Sequence, residues 1–347
     1  MDMISTIAAT VVAQFQSPTL SFLIGGMVIA AMGSKLTVPQ PVYAFIVMLL
    51  LLKVGLGAGM SMREADLVAM AIPAGLAALT GIAIVLLGGR TLTRWRGVSQ
   101  TDGYATAGVF GAVSASTLAA GMATLDGRGI SYEGFIGALY PFMDVAALIT
   151  AIVVARMSAA RMAAPAGGGV ATLGGGGTRA DDGVVKGILL DTFRSPAISA
   201  LVLGLALGLL AKPESVYGSF YEPLFRGLLS VLMLTMGMEA WSRLAELRKV
   251  AHAYVLYGLT APLIHGMIGF GAGLIAHQLT GFSQGGVVLL AVMAASSSDI
   301  SGPPTMRAAL PEANPSAYIG ASTGLGTPVA ILSIPIWIAL SGLVMGT

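Results

Sequence analysis

A chain of 347 residues that is 56% hydrophobic and 10% charged, with 47 glycines, is not an ordinary soluble enzyme, a nucleic-acid binder or a disordered segment: soluble domains carry about 25% charge, and water does not hold this much apolar surface. Mean hydropathy is +0.86, and the natural solvent is a bilayer. With no cysteine and three histidines, a disulfide framework, a thiolate site and a Cys nucleophile are excluded, while the formal net charge of +2 says little until it is divided along the chain.

Ile4, Ile7, Ala8, Val11, Val12 and Phe15 follow the i, i+3, i+4 rule. They read either as an amphipathic helix on the membrane surface or as the first turns of the first span. A membrane helix needs about 20 mostly apolar residues. Such windows fall at 19–34, 41–60, 67–88, 103–125, 132–156, 195–211, 221–241, 251–278, 284–306 and 316–345. They predict an all-α integral membrane fold of ten transmembrane helices. Between the fifth and sixth lies AAPAGGGVATLGGGGTRADDG, a Gly-rich stretch without period. It predicts a flexible linker over 158–193, with five spans in 1–157 and five in 194–347.

The loops after odd-numbered spans hold thirteen of the 18 Lys and Arg, from Lys35 to Arg307. The other side holds Arg63, Arg128 and Lys212. The positive-inside rule then puts the linker in the cytoplasm and both termini outside. Lys53, inside the second span, is expected to snorkel to an interface.

The two halves answer each other at a nearly fixed offset. SPTLSFLIGG at Ser17 matches SPAISALVLG at Ser195, and Gly55 in KVGLGAGM matches Gly237 in TMGMEAWS. SASTLAAG, ending at Gly121, matches SSSDISG, ending at Gly302, and FIGA at Phe135 matches YIGA at Tyr318. Five spans is an odd number, so the second half enters the membrane from the opposite side. Inverted repeats of this kind are typical of secondary transporters; a channel can share the symmetry.

The fourth span, GVFGAVSASTLAAGMATL, and the ninth, AVMAASSSDISGPPTMRAA, are interrupted mid-helix by hydroxyl residues and glycine. Pro303 and Pro304 remove two amide donors and are expected to break the ninth. Broken backbone at membrane depth persists only where protein or an aqueous cavity satisfies it. Two half-helix N-termini, each carrying roughly half a positive charge, would together suit a small monoanion. Ser114, Ser116 and Thr117 on one side and Ser296, Ser297 and Ser298 on the other supply short donors. Helix packing is the plainer role for single small residues, but two clusters at matching repeat positions favour a binding site.

Two acidic residues lie at membrane depth, Asp144 in the fifth span and Asp299 in the ninth. A carboxylate there costs about 2.5–3.5 kcal/mol on insertion scales. Pro141 is expected to free backbone carbonyls just before Asp144, and the Thr327-Pro328 pair, at the repeat-equivalent place to Asp144, to do the same in the tenth span. Carboxylates, hydroxyls and carbonyls are oxygen ligands for a hard cation such as Na⁺. The plainer role for Asp299 is a helix cap, which is compatible with cation binding. These residues suit a small anion and a hard cation in one membrane transporter, and the symmetry leaves carrier and channel both open. An intramembrane hydrolase using Ser298 or Asp299 lacks a His or Lys base nearby, so no enzyme is expected.

The strings SPTLSFLIGGMVIAAMGS, GALYPFMDVAALITAIV, PESVYGSFYEPLFRGLLSVLML, MGMEAWSRLAELRKVA, AASSSDISGPPTMRA and NPSAYIGASTGLGTP span both halves. Through them the chain closely resembles the cyanobacterial-type sodium-dependent bicarbonate transporter family. It departs from that family in its short Gly-rich linker. The resemblance implies Na⁺/bicarbonate symport in the plasma membrane, feeding a carbon-concentrating mechanism. It also implies a homotrimer whose spans 1, 2, 6 and 7 form a gate domain around an elevator-like core of spans 3–5 and 8–10. A cytoplasmic PII-like, nucleotide-sensing regulator is the implied partner, besides membrane lipid. Carried over residue by residue, Ser114, Ser116, Thr117, Ser296, Ser297 and Ser298 match the regions that hold bicarbonate. Asp144, Asp299, Ser301 and Thr327 fall in motifs assigned to Na⁺.

Overall fold

The computed structural model describes residues 16, 18–64, 67–163, 196–242, 251–299 and 301–346. The amphipathic segment expected before residue 16 and most of the 158–193 linker lie outside the described residues. All regular elements among the described residues are helical. In chain order they are α1 (Pro18–Ala31), α2 (Gln40–Glu64), α3 (Leu67–Thr93), α4 (Gln100–Gly111), α5 (Ala115–Asp126) and α6 (Tyr140–Ala163). The second half continues with α7 (Pro196–Leu210), α8 (Glu222–Ser242), α9 (Ala251–Thr280), α10 (Gln284–Ala295), α11 (Gly302–Ala309), α12 (Pro315–Ile319) and α13 (Thr327–Met345). A 3₁₀ turn at Ile136–Leu139 leads into α6, a short helix at Glu214–Val216 and a π-helical stretch at Tyr217–Tyr221 lead into α8, and a π-helical stretch at Gly320–Gly326 joins α12 to α13.

Five helical segments are long and apolar enough to cross a membrane: Gln40–Glu64, Val68–Thr93, Ile136–Ala160, Ala251–Thr280 and Pro315–Met345. Ser21–Ala31, Ser199–Leu210 and Gln284–Ala295 are apolar but shorter. These helices are apolar nearly all round, as expected where one side meets protein and the other lipid.

The helices form two packed groups. In the first, α1 lies along α8 and α2 along α7. Glycine sets how close they come. A Cβ on Gly26 would stand 2.0 Å from the Leu234 carbonyl oxygen, and one on Gly237 would stand 2.0 Å from that of Leu23. Between α2 and α7 the same role falls to two glycine pairs four residues apart, Gly55 with Gly59 and Gly204 with Gly208, each against opposing backbone. Without a hydrophobic drive between helices in lipid, such close backbone contact supplies the dispersion energy of association. Lys53 belongs to this group. Its Nζ sits 4.3 Å from the ring centre of Phe225 and 5.4 Å from that of Tyr217. The cation therefore rests on aromatic faces, a contact compatible with the snorkelling that the sequence suggests. At the end of α2, Arg63 pairs with Glu214 and donates to the Ala211 carbonyl.

In the second group α3 packs on α4 and α6, α9 packs on α10 and α13, and α3 meets α9. Two carboxylates stitch it together. The Asn314 N–H donates to Asp102 Oδ1 at 2.7 Å. Glu133 accepts from the Ser283 N–H at 2.6 Å and from its hydroxyl at 3.0 Å. Each stitch ties the segment ahead of one half's last long helix to the start of the other half's interrupted one. The two groups touch through the short helices: α11 reaches α2 and α7, and α12 reaches α8.

Candidate substrate site

Both interruptions form as the residue pattern predicts, with a difference in where each lies. The first occupies Ala112–Ser114, so Ser116 and Thr117 already belong to the first turn of α5. The side chain of Ser116 lies outside the described residues. The second runs from Ser296 to Ser301. Ala112 and Ser296 end their helices with matching extended backbone, ψ 154° and 175°. The ninth segment is broken directly before Pro303 and Pro304, which stand in the first turn of α11, where an amide is unpaired in any helix and a fixed φ helps initiation. The interruption belongs to the serine run before them.

The two interruptions satisfy each other's backbone. The Ser298 N–H donates to the Val109 carbonyl at 2.8 Å, and the Ser114 N–H donates to Ser296 Oγ at 3.0 Å. Ser296 Oγ in turn donates to the Met293 carbonyl at 2.7 Å. Buried backbone groups must be paired, so the serines here have a structural role beside any binding. Ser298 Oγ accepts from the Gly302 N–H at 2.8 Å and shares a hydrogen bond with Ser301 Oγ at 2.8 Å. Ser298 thus satisfies the first amide of α11, whose N-cap residue, Ser301, makes no side-chain cap bond.

Asp144 reaches this centre from α6. Its Oδ1 accepts the Val113 N–H at 3.1 Å, and Ser301 lies within hydrogen-bonding reach of the carboxylate. Asp299 is close enough to act on it electrostatically. Two carboxylates, 1% and 9% exposed, therefore face one hydroxyl-lined region. Ser297 Oγ meets Thr327 Oγ1 at 3.4 Å, and Thr327 Oγ1 also approaches the Ser322 carbonyl, 3.5 Å away in the π-helical stretch. That stretch, along with the 3₁₀ turn before α6, supplies the irregular backbone expected near Thr327 and Pro141. Thr117 donates its amide to Ser114 Oγ at 3.3 Å, while its own buried hydroxyl has no hydrogen-bond partner among the described residues. Ser114, Thr117, Ser296, Ser297, Ser298, Ser301 and Thr327 are all fully buried. The arrangement offers hydroxyls and amides to an anion and carboxylate, hydroxyl and carbonyl oxygens to a cation.

Tyr140 is a member of the cluster that sequence reasoning missed. Its hydroxyl donates to Ser301 Oγ at 3.4 Å. The signal is there to be read: Tyr140 stands four residues before Asp144, one helical turn away on the same face. The Val109 carbonyl is also unforeseen, because nothing in an apolar residue type marks its backbone as a partner.

A family model matches residues 18–342 of the chain, and its description is the Na⁺-dependent bicarbonate transporter superfamily. The chain belongs to that superfamily. No curated protein matches it. Membership makes the chain a transporter and not an enzyme, and the apolar helices make it a multi-pass membrane protein.

Proposed function

We propose that this member of the superfamily is a Na⁺-dependent bicarbonate symporter for high-affinity uptake of inorganic carbon, working by alternating access. The observation that carries the proposal is the mutual hydrogen bonding of the two helix interruptions, with both membrane-depth carboxylates beside them. Bicarbonate lies between the start of α5 and the start of α11, held by Ser114, Ser116, Thr117, Ser296, Ser297 and Ser298. Na⁺ binds at Asp144, Asp299, Ser301 and Thr327. The Thr117 hydroxyl, without a partner among the described residues, is one donor that a bound anion would satisfy. An anion entering a negative interior works against about 2.3 kcal/mol per 100 mV. One co-bound Na⁺ cancels that cost, and the Na⁺ gradient drives accumulation.

Complete burial of the site requires a moving part. Helices α1, α2, α7 and α8 form the gate, and the remainder forms an elevator-like core. The ten spans are two inverted repeats of five. This is supported by the way α3 with α4 and α6 mirrors α9 with α10 and α13, and by the paired Asp102 and Glu133 stitches. The protein acts as a homotrimer in the plasma membrane, with both termini outside and the linker in the cytoplasm. There a PII-like regulator docks.

The test is uptake of ¹⁴C-labelled inorganic carbon into proteoliposomes above pH 8, with and without an inward Na⁺ gradient. Concentrative uptake that vanishes when K⁺ replaces Na⁺ is the expected result. Flux indifferent to Na⁺ refutes symport and leaves a channel or exchanger.

A further inference from the structure

We propose that the basic end of α3 and the start of α9 form a headgroup site for an anionic glycerophospholipid. Arg94, Trp95 and Arg96, just past α3, and His252 on α9 line an open cleft of about 460 Å³. All four residues are exposed. The Trp95 and His252 rings meet edge to face with centroids 5.2 Å apart, so the two helices share this wall. Among the described residues neither arginine has a carboxylate partner. The cleft therefore presents two guanidinium groups that no described carboxylate pairs with, and their forked N–H donors match phosphate geometry.

A free phosphate would satisfy the same donors. The surface that continues from the cleft favours lipid. On α3, Leu87, Arg90 and Thr91 lead to Arg94 at i, i+3, i+4 and i+7, one face of a helix. On α9, His252, Val255, Leu256 and Leu259 repeat that spacing. Leu87 is 53% exposed, Val255 45%, Leu256 50% and Leu259 45%. Each helix thus leaves the cleft along an exposed stripe, apolar over about 6 Å on α9. Phosphate clamp, aromatic neighbour and apolar wall follow the order of headgroup, interface and acyl chain in a phospholipid. Tryptophan belongs at that level, and basic pockets at helix ends accept anionic headgroups. The site is remote from the helix interruptions and does not depend on the identity of the transported anion.

The test is native mass spectrometry of the full chain in detergent with added phosphatidylglycerol or phosphatidylcholine. The expected result is about tenfold higher occupancy by phosphatidylglycerol, weakening as salt rises. Replacing Arg94→Gln and Arg96→Gln together removes that preference, while Arg128→Gln, an exposed arginine elsewhere, retains it. Equal occupancy by the zwitterionic lipid in the wild type overturns the proposal whatever the variants do, including a double variant that fails to fold. Retained preference in a folded double variant also overturns it. Displacement of the lipid by millimolar inorganic phosphate assigns the site to a free anion and overturns the lipid assignment.

Discussion

Replacing Asp144 by asparagine separates charge from geometry at the candidate cation site. The side chains are nearly isosteric, and the amide oxygen of the replacement still accepts the Val113 N–H that Asp144 now accepts at 3.1 Å. The change therefore removes a charge and keeps the Val113 amide paired. Two effects of opposite sign follow. Without Na⁺, the electrostatic opposition between Asp144 and Asp299 is relieved, so the variant unfolds at the same temperature or higher. With Na⁺, the attraction is lost. Unit charges about 4 Å apart interact by about 4 kcal/mol at an effective dielectric of about 20. An amide dipole returns part of this, so Na⁺ affinity should fall at least about tenfold, equivalent to about 1.4 kcal/mol. The first assay is thermal unfolding in detergent across a Na⁺ titration. Saturating Na⁺ at about 100 times its dissociation constant stabilises a single-site protein by about 2.7 kcal/mol. That increment should appear in the wild type and fall to about 1.4 kcal/mol or less in the variant at equal Na⁺. The second assay is the Na⁺ dependence of uptake in proteoliposomes. A variant that keeps both the Na⁺-dependent stabilisation and the half-saturating Na⁺ for uptake would refute the cation role of Asp144. Misfolding cannot imitate the expected result, because a misfolded variant would be less stable without Na⁺ as well.

Neighbouring glycines on α1 should behave oppositely. Gly26→Ala pushes a Cβ to 2.0 Å from the Leu234 carbonyl, whereas a Cβ at Gly25 meets nothing within 4 Å. Gly25→Ala should then be neutral or stabilising by about 0.5–1 kcal/mol and Gly26→Ala clearly destabilising, as read by thermal unfolding; equal stability of the two would contradict the close approach of α1 and α8. Glu133→Ala removes both bonds to Ser283 and should cost about 1.5–3 kcal/mol, as for hydrogen bonds to a charged group. Hydrogen exchange at the Ser283 and Gly286 amides should accelerate in that variant, and unchanged protection would show that the stitch is idle.

Much of the molecule is legible from residue type and period. Runs of about 20 apolar residues can only be spanning or deeply buried helices, so the helical windows follow from hydropathy alone. The serine and glycine clusters mark both interruptions because short polar residues in an apolar helix need a reason. Asp144 and Asp299 stand out by the cost of a carboxylate at that depth. What the sequence leaves open is local. Two prolines that mark a break also serve as the start of α11, since proline is at home in a first turn. Lys53 looks bound for an interface, and which rings receive it, those of Tyr217 and Phe225 far along the chain, only the fold shows.

Partnership across the chain is decided only in three dimensions. A serine's residue type does not say whether it caps a helix, pairs with a distant amide or faces a ligand. Ser296 and Ser298 stand close together in an apparently uniform run, yet one accepts the Ser114 amide and the other accepts the first amide of α11. The Val109 carbonyl enters the centre through its backbone, which every residue shares. Hydropathy reports each residue's preferred solvent and therefore determined the elements. Hydrogen bonds and close backbone contacts depend on what another part of the chain places within about 3 Å, and only packing decides that.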